Sequence, residues 1–370
     1  MAPLVDPGFW RDRAVLLTGH TGFKGAWLAL WLQSMGARVT GLADGVPTQP
    51  SLYALADVAT GLAADVRADV RDHGAVLEAF ANAAPEVVIH MAAQSLVRRS
   101  FADPRGTYET NVMGTVNVLE AVRATPSVRV VVNITSDKCY DNFAEREPRP
   151  FVEDDPKGGH DPYSNSKGCA ELVADAYLRS FFSDENAGAG GGGSARLGSA
   201  RAGNVIGGGD WGADRLIPDI MAGALKGAPI PIRNPAAVRP WQHVLNPLSG
   251  YLRLAQRLHA SPDVQGGWNF GPAPDDARPV RWIADRLTDL WPGELRWELD
   301  RGPHPHEAHF LALDSAKARE RLGWAPAWGL EETLAAIVEW YGALAAGEDI
   351  RAVTLDQIER FAAAAAATRG

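Results

Sequence analysis

The sequence predicts an α/β fold, a doubly wound parallel sheet with a smaller C-terminal α/β lobe. Three observations predict it. Short apolar, β-branched runs such as Val128-Arg129-Val130-Val131-Val132-Asn133-Ile134 alternate with helical patterns through the first half of the chain. The first such run, Ala14-Val15-Leu16-Leu17, leads straight into a glycine-rich turn and then a helix. Polar and ionisable residues collect just beyond the strand ends, where open α/β sheets bind ligands.

The glycine-rich turn reads Thr18-Gly19-His20-Thr21-Gly22-Phe23-Lys24-Gly25, with Gly-x-x-Gly-x-x-Gly spacing. Glycines at this spacing permit a tight turn, let backbone N–H groups approach a pyrophosphate and allow close helix–strand packing. The helix N-terminus then faces the anion, the signature of a Rossmann unit. Gly19, Thr21, Gly22, Phe23, Lys24 and Gly25 are therefore candidate cofactor contacts. The helix that follows buries Ala26, Leu28, Ala29, Leu30 and Leu32 and stops at Gly36.

Arg38-Val39-Thr40-Gly41-Leu42 is the second strand, and Asp44 is the acidic residue nearest the position that receives a ribose 2′-hydroxyl. The absence of an arginine directly after Asp44 favours NAD over NADP. A third strand around Leu62 to Val66 carries Asp69 and Val70 toward the adenine. Val87-Val88-Ile89-His90 ends in Met91-Ala92-Ala93-Gln94-Ser95, where Ala92, Ala93 and Gln94 leave room for a cofactor. His90, at the strand end, reads as a structural histidine. Tyr108 to Arg123 reads as one long amphipathic helix, with Asn111 near its start.

The chemistry is expected between Thr135 and Lys167. Thr135-Ser136-Asp137-Lys138-Cys139-Tyr140 closes the Val128 to Ile134 strand, and Asp161-Pro162-Tyr163-Ser164-Asn165-Ser166-Lys167 follows. Tyr163 and Lys167, four apart on a helix, share a face. A phenol with an ordinary pKa of about 10 is a poor base at neutral pH, and a neighbouring ammonium is expected to lower that value. Tyr163 would then take a proton from a hydroxyl-bearing substrate.

Beyond this helix, Asn186 to Ser194 is a low-complexity loop, expected to be solvated and without chemistry. The domain change is expected near Asn204: residues 1–204 form the dinucleotide-binding unit and 205–370 mainly the substrate lobe. Gly266-Gly267-Trp268-Asn269-Phe270-Gly271 is expected to return as a strand of the main sheet. The segment past Gly329 is Ala-rich and helical. His304, His306 and His309 sit among prolines without a matching carboxylate, so no metal site is expected.

With 46% hydrophobic and 22% charged residues the composition is that of a globular protein, and the net charge of −9 disfavours a nucleic-acid-binding surface. Two cysteines, Cys139 and Cys169, imply no disulfide framework. With neither a leader pattern nor a long apolar span, a cytoplasmic protein that does not associate with membranes is expected.

Together these motifs resemble the extended short-chain dehydrogenase/reductase superfamily and, within it, the nucleotide-sugar 4,6-dehydratases. The similarity also takes in Arg201-Ala202-Gly203-Asn204-Val205-Ile206-Gly207-Gly208-Gly209-Asp210-Trp211 and Arg239-Pro240-Trp241-Gln242-His243-Val244. The Asp137-Lys138 pair marks the branch acting on CDP-activated glucose. The other dehydratase branches usually carry an acidic residue second, and simple epimerases lack the pair. The resemblance implies NAD as cofactor, held in part by Asn111, Tyr163 and Lys167, and a lyase that eliminates water from a nucleotide-activated hexose in deoxysugar biosynthesis. It assigns Ser136, Asp137, Lys138, Tyr163 and Lys167 as catalytic. Asp137 is taken as acid and Lys138 as base, with the reverse assignment also open; the first requires a protonated carboxyl and a neutral amine. Asn204, Arg201, Arg239, Trp241 and His243 are the expected substrate contacts, with Arg278, Arg215 and Trp211 as further candidates. A homodimer is implied, paired through the helices carrying Asn111 and Tyr163. The rival readings are a dehydratase or epimerase for another nucleotide sugar, and a non-catalytic dinucleotide-binding protein. The joint presence of Ser136, Tyr163 and Lys167 argues against the second.

Overall fold

A computed structural model describes residues 3–142, 149–183, 195–302 and 311–367. The Asn186 to Ser194 loop and His304, His306 and His309 lie outside the described residues.

Seven parallel strands form the central sheet: β1 (Ala14–Thr18), β2 (Arg38–Ala43), β3 (Ala64–Arg67), β4 (Val87–His90), β5 (Val130–Ile134), β6 (Arg196–Arg201) and a late arrival, Gly266–Asn269. The remaining strands form short pairs. They are β7 (Val205–Ile206) with β10 (Gln242–His243), β8 (Ile230–Ile232) with β13 (Trp297–Leu299), and β9 (Val238–Pro240) with β12 (Ala277–Pro279). The late strand is β11, and the sheet order is β11-β6-β5-β4-β1-β2-β3. The order reverses between β1 and β4, and that switch point opens a crevice beyond the strand ends.

The central strands β1, β4 and β5 are buried on both faces because both are covered, whereas the edge strand β3 is largely exposed. Val15, Leu17, Val130, Val132 and Ile134 point to one layer, with Trp27, Leu28, Leu254 and Leu258 packed over them. Leu16, Val88, Val131 and Leu197 point to the other, against Val118, Val122 and Phe80. Fully burying each such aliphatic side chain contributes about 1.5–3 kcal/mol, which makes these runs strands of the sheet interior.

The helix after the first loop runs from Phe23 to Ser34, and Gly36 (φ +79°) stops it. The expected single helix from Tyr108 to Arg123 is instead three pieces: Pro104–Tyr108, a wide π-type turn Glu109–Met113, and Gly114–Ala124. The buried Asn111 side chain sits in that wide turn, and Gly114 lets it close on Val70, whose Cγ2 lies 2.8 Å from where a Cβ would stand.

Between β6 and β7 the chain turns at Asn204, in a left-handed conformation (φ +49°). Later segments pack back onto the central sheet. Helix Leu245–Ala260 packs beneath β6, with Leu254 and Leu258 filling the space left by Gly198. The C-terminal helix Ile350–Ala367 returns to the Phe23 helix: the Phe361 and Trp31 rings meet at 5.7 Å, and Arg351 donates to Gln33 and to the Ala56 carbonyl.

Candidate active site

The glycine loop after β1 has the shape of an anion cradle. Gly19 takes φ +74°, and a Cβ there would lie 2.8 Å from the Ala92 nitrogen; one on Gly25 would lie 2.1 Å from the Gly19 carbonyl. Side chains at these points would collide with the loop's own backbone and with the segment after β4, so glycine is what lets the turn close. The Phe23 helix starts at Gly22 without a side-chain cap or an acidic residue in its first turn, leaving its amides to an anionic ligand. The Phe23 ring itself packs toward Gly207, so its backbone is the part offered to a cofactor. The Thr21 hydroxyl donates to the Gly45 carbonyl at 2.6 Å, tying the loop to the turn that carries the exposed Asp44.

Around the adenine position, Asp69 accepts from the Arg71 amide and guanidinium, and the buried Val70 carbonyl accepts from Asn117. Ala92 donates its amide to Thr18 Oγ1, with Ala93 following on the same open segment. These residues suit a dinucleotide. Gln94 and Asn111, also expected at the cofactor, spend their side chains on each other and on their neighbours. Asn111 Nδ2 donates to the Gln94 carbonyl and to Ser166, and its Oδ1 accepts from the Gln94 amide. The Gln94 side chain closes on Leu96 and Thr107. Every polar atom of the two side chains is used in fixing the loop. His90 is structural, bonded through Nδ1 to Thr18 and through Nε2 to Thr115.

His20, inside the glycine loop, escaped the sequence reading. Its buried ring fills the space left by Gly41 on β2, and Nε2 meets Asp65 at 2.9 Å. Asp65 in turn bonds the Tyr53 hydroxyl and Arg67, so the loop is anchored across β2 to β3. A glycine inside a strand was the available signal, since it marks a close approach.

At the end of β5 the Ser136 hydroxyl donates to Asp137 Oδ1 at 2.9 Å and accepts from the Lys138 amide. Asp137 is buried and lies against Gly203, where a Cβ would stand 1.8 Å from its Oδ2. Lys138 is half-buried. Tyr163 begins helix Pro162–Phe181, whose N-cap Asp161 accepts from the Ser164 amide, and its hydroxyl is hydrogen-bonded to Ser136. Burial pushes the Tyr163 phenol up to about 12, against the lowering effects of the Ser136 bond and the Arg215 charge. The expected lowering by Lys167 is therefore not what the protein shows. The Lys167 ammonium turns to the Ile134 carbonyl at 3.3 Å, and burial brings it down to about 8. Lys24 is half-buried, is brought down to about 7 chiefly by desolvation, and donates to the Tyr251 hydroxyl at 3.0 Å. Tyr251, from helix Leu245–Ala260, was not foreseen, because an aromatic residue on an amphipathic helix reads as core.

Three of the expected substrate contacts sit inside the protein. Arg201 is buried in a bidentate pair with Glu171 (2.8 Å on both arms) and donates further to the Tyr140 hydroxyl and the Glu153 carbonyl, so its donors are committed inside the protein. His243 is fully buried between the Trp27 and Trp328 rings and pushed down to about 3 by burial. Trp241 is core, its Nε1 donating to the Arg278 carbonyl. That bond ties β9 to β12, where Arg239 and Arg278 stand directly opposite one another. Asn204 receives the Gln242 amide on its carbonyl. Arg215 pairs with Asp210 at 3.1 Å and reaches across to Ser95. Trp211 lies edge-on to Tyr341.

A dinucleotide cradle facing a buried Ser136–Asp137–Tyr163 cluster with Lys167 behind it defines a Rossmann-fold enzyme of the tyrosine–lysine kind. Residues 15–269 match the NAD dependent epimerase/dehydratase family, and the chain belongs to that family. It is 50% identical over 366 residues to a CDP-glucose 4,6-dehydratase of Salmonella typhimurium, covering 98% of this chain and 99% of the relative. It is 28% identical to a dTDP-glucose 4,6-dehydratase of Xanthomonas campestris over 88% of this chain and 92% of that one. Among solved structures, a dTDP-glucose 4,6-dehydratase from Streptomyces venezuelae with NAD and TYD bound superposes with a TM-score of 0.73. It has 24% identity and covers 91% of this chain and 99% of the other. A UDP-glucose 4-epimerase from Thermotoga maritima gives 0.73 at 20% identity, covering 89% and 99%. These two structures bear on the fold.

Proposed function

We propose that the protein converts CDP-D-glucose to CDP-4-keto-6-deoxy-D-glucose in deoxysugar biosynthesis. The observation that carries this reading is the Asp137-Lys138 pair beside the hydrogen-bonded Ser136 and Tyr163 hydroxyls. The 50% identity to a CDP-glucose 4,6-dehydratase over nearly the full chain supports it. The glycine-loop amides, with Asp44, Asp69 and the Ala92-Ala93 segment around them, would hold NAD, which would supply a hydride acceptor at sugar C4 and a donor at C6. Tyr163, as phenolate, takes the O4 proton; the Ser136 hydroxyl and the Arg215 cation favour that form against the effect of burial, and Lys167 stays one turn along the helix as a further cation of the site. Ser136 donates to O4 and polarises the forming ketone. The ketone acidifies C5–H. Lys138, as neutral amine, removes that proton, and Asp137, as acid, protonates the departing C6 hydroxyl. Arg239 and Arg278, opposite one another across β9 and β12, would bind the substrate diphosphate with Asn204.

Incubation with CDP-glucose and NAD should give the alkaline chromophore of a 4-keto sugar. Turnover of dTDP-glucose with none of CDP-glucose would refute the reading. We also infer a homodimer: Met113, Leu172 and Phe101 are large apolar side chains, at least half exposed, on neighbouring helices. Light scattering at the monomer mass would refute it. Among the described residues no helix is long and apolar enough to cross a membrane. Both cysteines are free, which supports a reducing, cytoplasmic location.

A further inference from the structure

Glu171 stands one helical turn beyond Lys167, and both are buried. Its Oε1 accepts from Arg201 Nε and from the Thr135 hydroxyl, and its Oε2 accepts from Arg201 Nη2. Thr135 is the residue before Ser136, so one carboxylate joins the catalytic turn, the catalytic helix and β6. Arg201 is held from its other side by the Tyr140 hydroxyl, which donates to Asn269 on β11. None of these groups has a part in the reaction as written above.

We propose that the buried Glu171–Arg201 pair is a positioning device for the Tyr163–Lys167 site: its carboxylate, one turn beyond Lys167 on the same helix and bonded to Thr135 next to the Ile134 carbonyl that the ammonium meets, keeps that side chain in place as a cation. The inference rests on Lys167 acting as a cation in the proposed reaction. Burial works against that cation and brings it down to about 8, while the Glu171 charge, with a smaller contribution from Cys139 on the turn after β5, works for it. The other charged or titratable groups facing it are His90 on β4 and Lys24 on the Phe23 helix, and both are pushed further down by the Lys167 charge. Glu171 itself stays ionised because Arg201, Thr135 and Lys157 together outweigh its own burial. With that carboxylate made neutral, the ammonium loses its largest support.

The test compares Glu171→Gln, Glu171→Asp and the double variant Glu171→Met with Arg201→Met, which replaces the pair by apolar side chains and avoids stranding a buried charge. Two readouts are taken against pH: kcat with CDP-glucose, and NAD affinity from tryptophan fluorescence. In the unaltered chain both should fall as pH rises through about 8. In Glu171→Gln and in the double variant the fall should move to lower pH by about one unit, and Glu171→Asp should restore most of it. A folded double variant whose alkaline limb coincides with the unaltered chain's would overturn the proposal. Should the double variant not fold, coincident Gln and Asp limbs would do so, as would NAD affinity in the unaltered chain that stays flat from about pH 6 to 10. Failure of the parent reading is distinguishable: CDP-glucose is then not turned over, while the NAD-binding curves still report on Lys167.

Discussion

Gly203→Ala is a steric probe of the catalytic acid made at a residue that takes no part in the reaction. Gly203 has no positive φ to relieve, so the added methyl acts by volume alone. Its Cβ would stand 1.8 Å from Asp137 Oδ2 and 2.2 Å from Cγ, whereas ordinary contact begins at 3.4 Å. The carboxylate must therefore retreat by about 1.6 Å, and since it is the end of a side chain the backbone can stay in place. Misplacing a catalytic group by about 1 Å can cost about 100-fold, or roughly 2.7 kcal/mol of barrier. The substituted protein should melt near the parent temperature and bind NAD as before. It should carry out C4 oxidation but eliminate water about 100-fold more slowly, so that reduced-nicotinamide absorbance builds up in a stopped-flow trace. Gly25→Ala is the contrast: its Cβ would meet the Gly19 carbonyl at 2.1 Å, a backbone atom that cannot turn aside, and NAD binding should be lost. A folded Gly203→Ala protein forming the 4-keto product at the parent rate would refute the assignment of Asp137 as acid.

Tyr163→Phe should abolish turnover while calorimetry still detects NAD binding, and Lys138→Ala should leave C4 oxidation but stop elimination; parent-rate product from either variant would remove that residue from the mechanism. Arg201→Ala should lower stability by about 3–5 kcal/mol in denaturant titration, because it strands the buried Glu171 carboxylate. A variant of parent stability with only a raised KM would return Arg201 to the substrate. Burial pushes His90 and His243 from 6.5 down to about 3, so between those pH values the unfolded chain binds the protons the folded one refuses. Stability should thus fall as pH drops below about 6.5, by up to roughly 1.4 kcal/mol per unit for each histidine, and His243→Phe should flatten that acid limb of the melting curve.

What the sequence made legible follows from what is local. Continuous apolar runs mark strands covered on both faces, as at Val130 to Ile134, and three spaced glycines mark a turn that a backbone must approach closely. Ser136 and Asp137 were readable from their place at a strand end, and Tyr163 with Lys167 from helical spacing. Arg201 was misread because its partner Glu171 lies 30 residues away on another element, and nothing local distinguishes a buried guanidinium from one awaiting phosphate. His243 and Trp241 sit in a motif of the branch, yet their rings are enclosed by Trp27, Trp328 and the β9–β12 pair, contacts made only in three dimensions. Asn111 was placed on the right element with the wrong geometry, since the wide turn around it is set by its bonds to Gln94 and Ser166 and not by helix periodicity.

Strand β11 closes one edge of the sheet although it is made long after β6. Until residue 269 has left the ribosome, the far side of β6 offers a row of unpaired amides and carbonyls, and Tyr140 lacks the Asn269 oxygen that receives its hydroxyl. A fragment ending near Asn204 would keep the whole cofactor loop and every reacting side chain and still present a sticky border that invites self-association. The dinucleotide unit of this enzyme is thus a product of the complete chain, and dividing it at the visible crossover would yield an aggregate instead of a smaller catalyst.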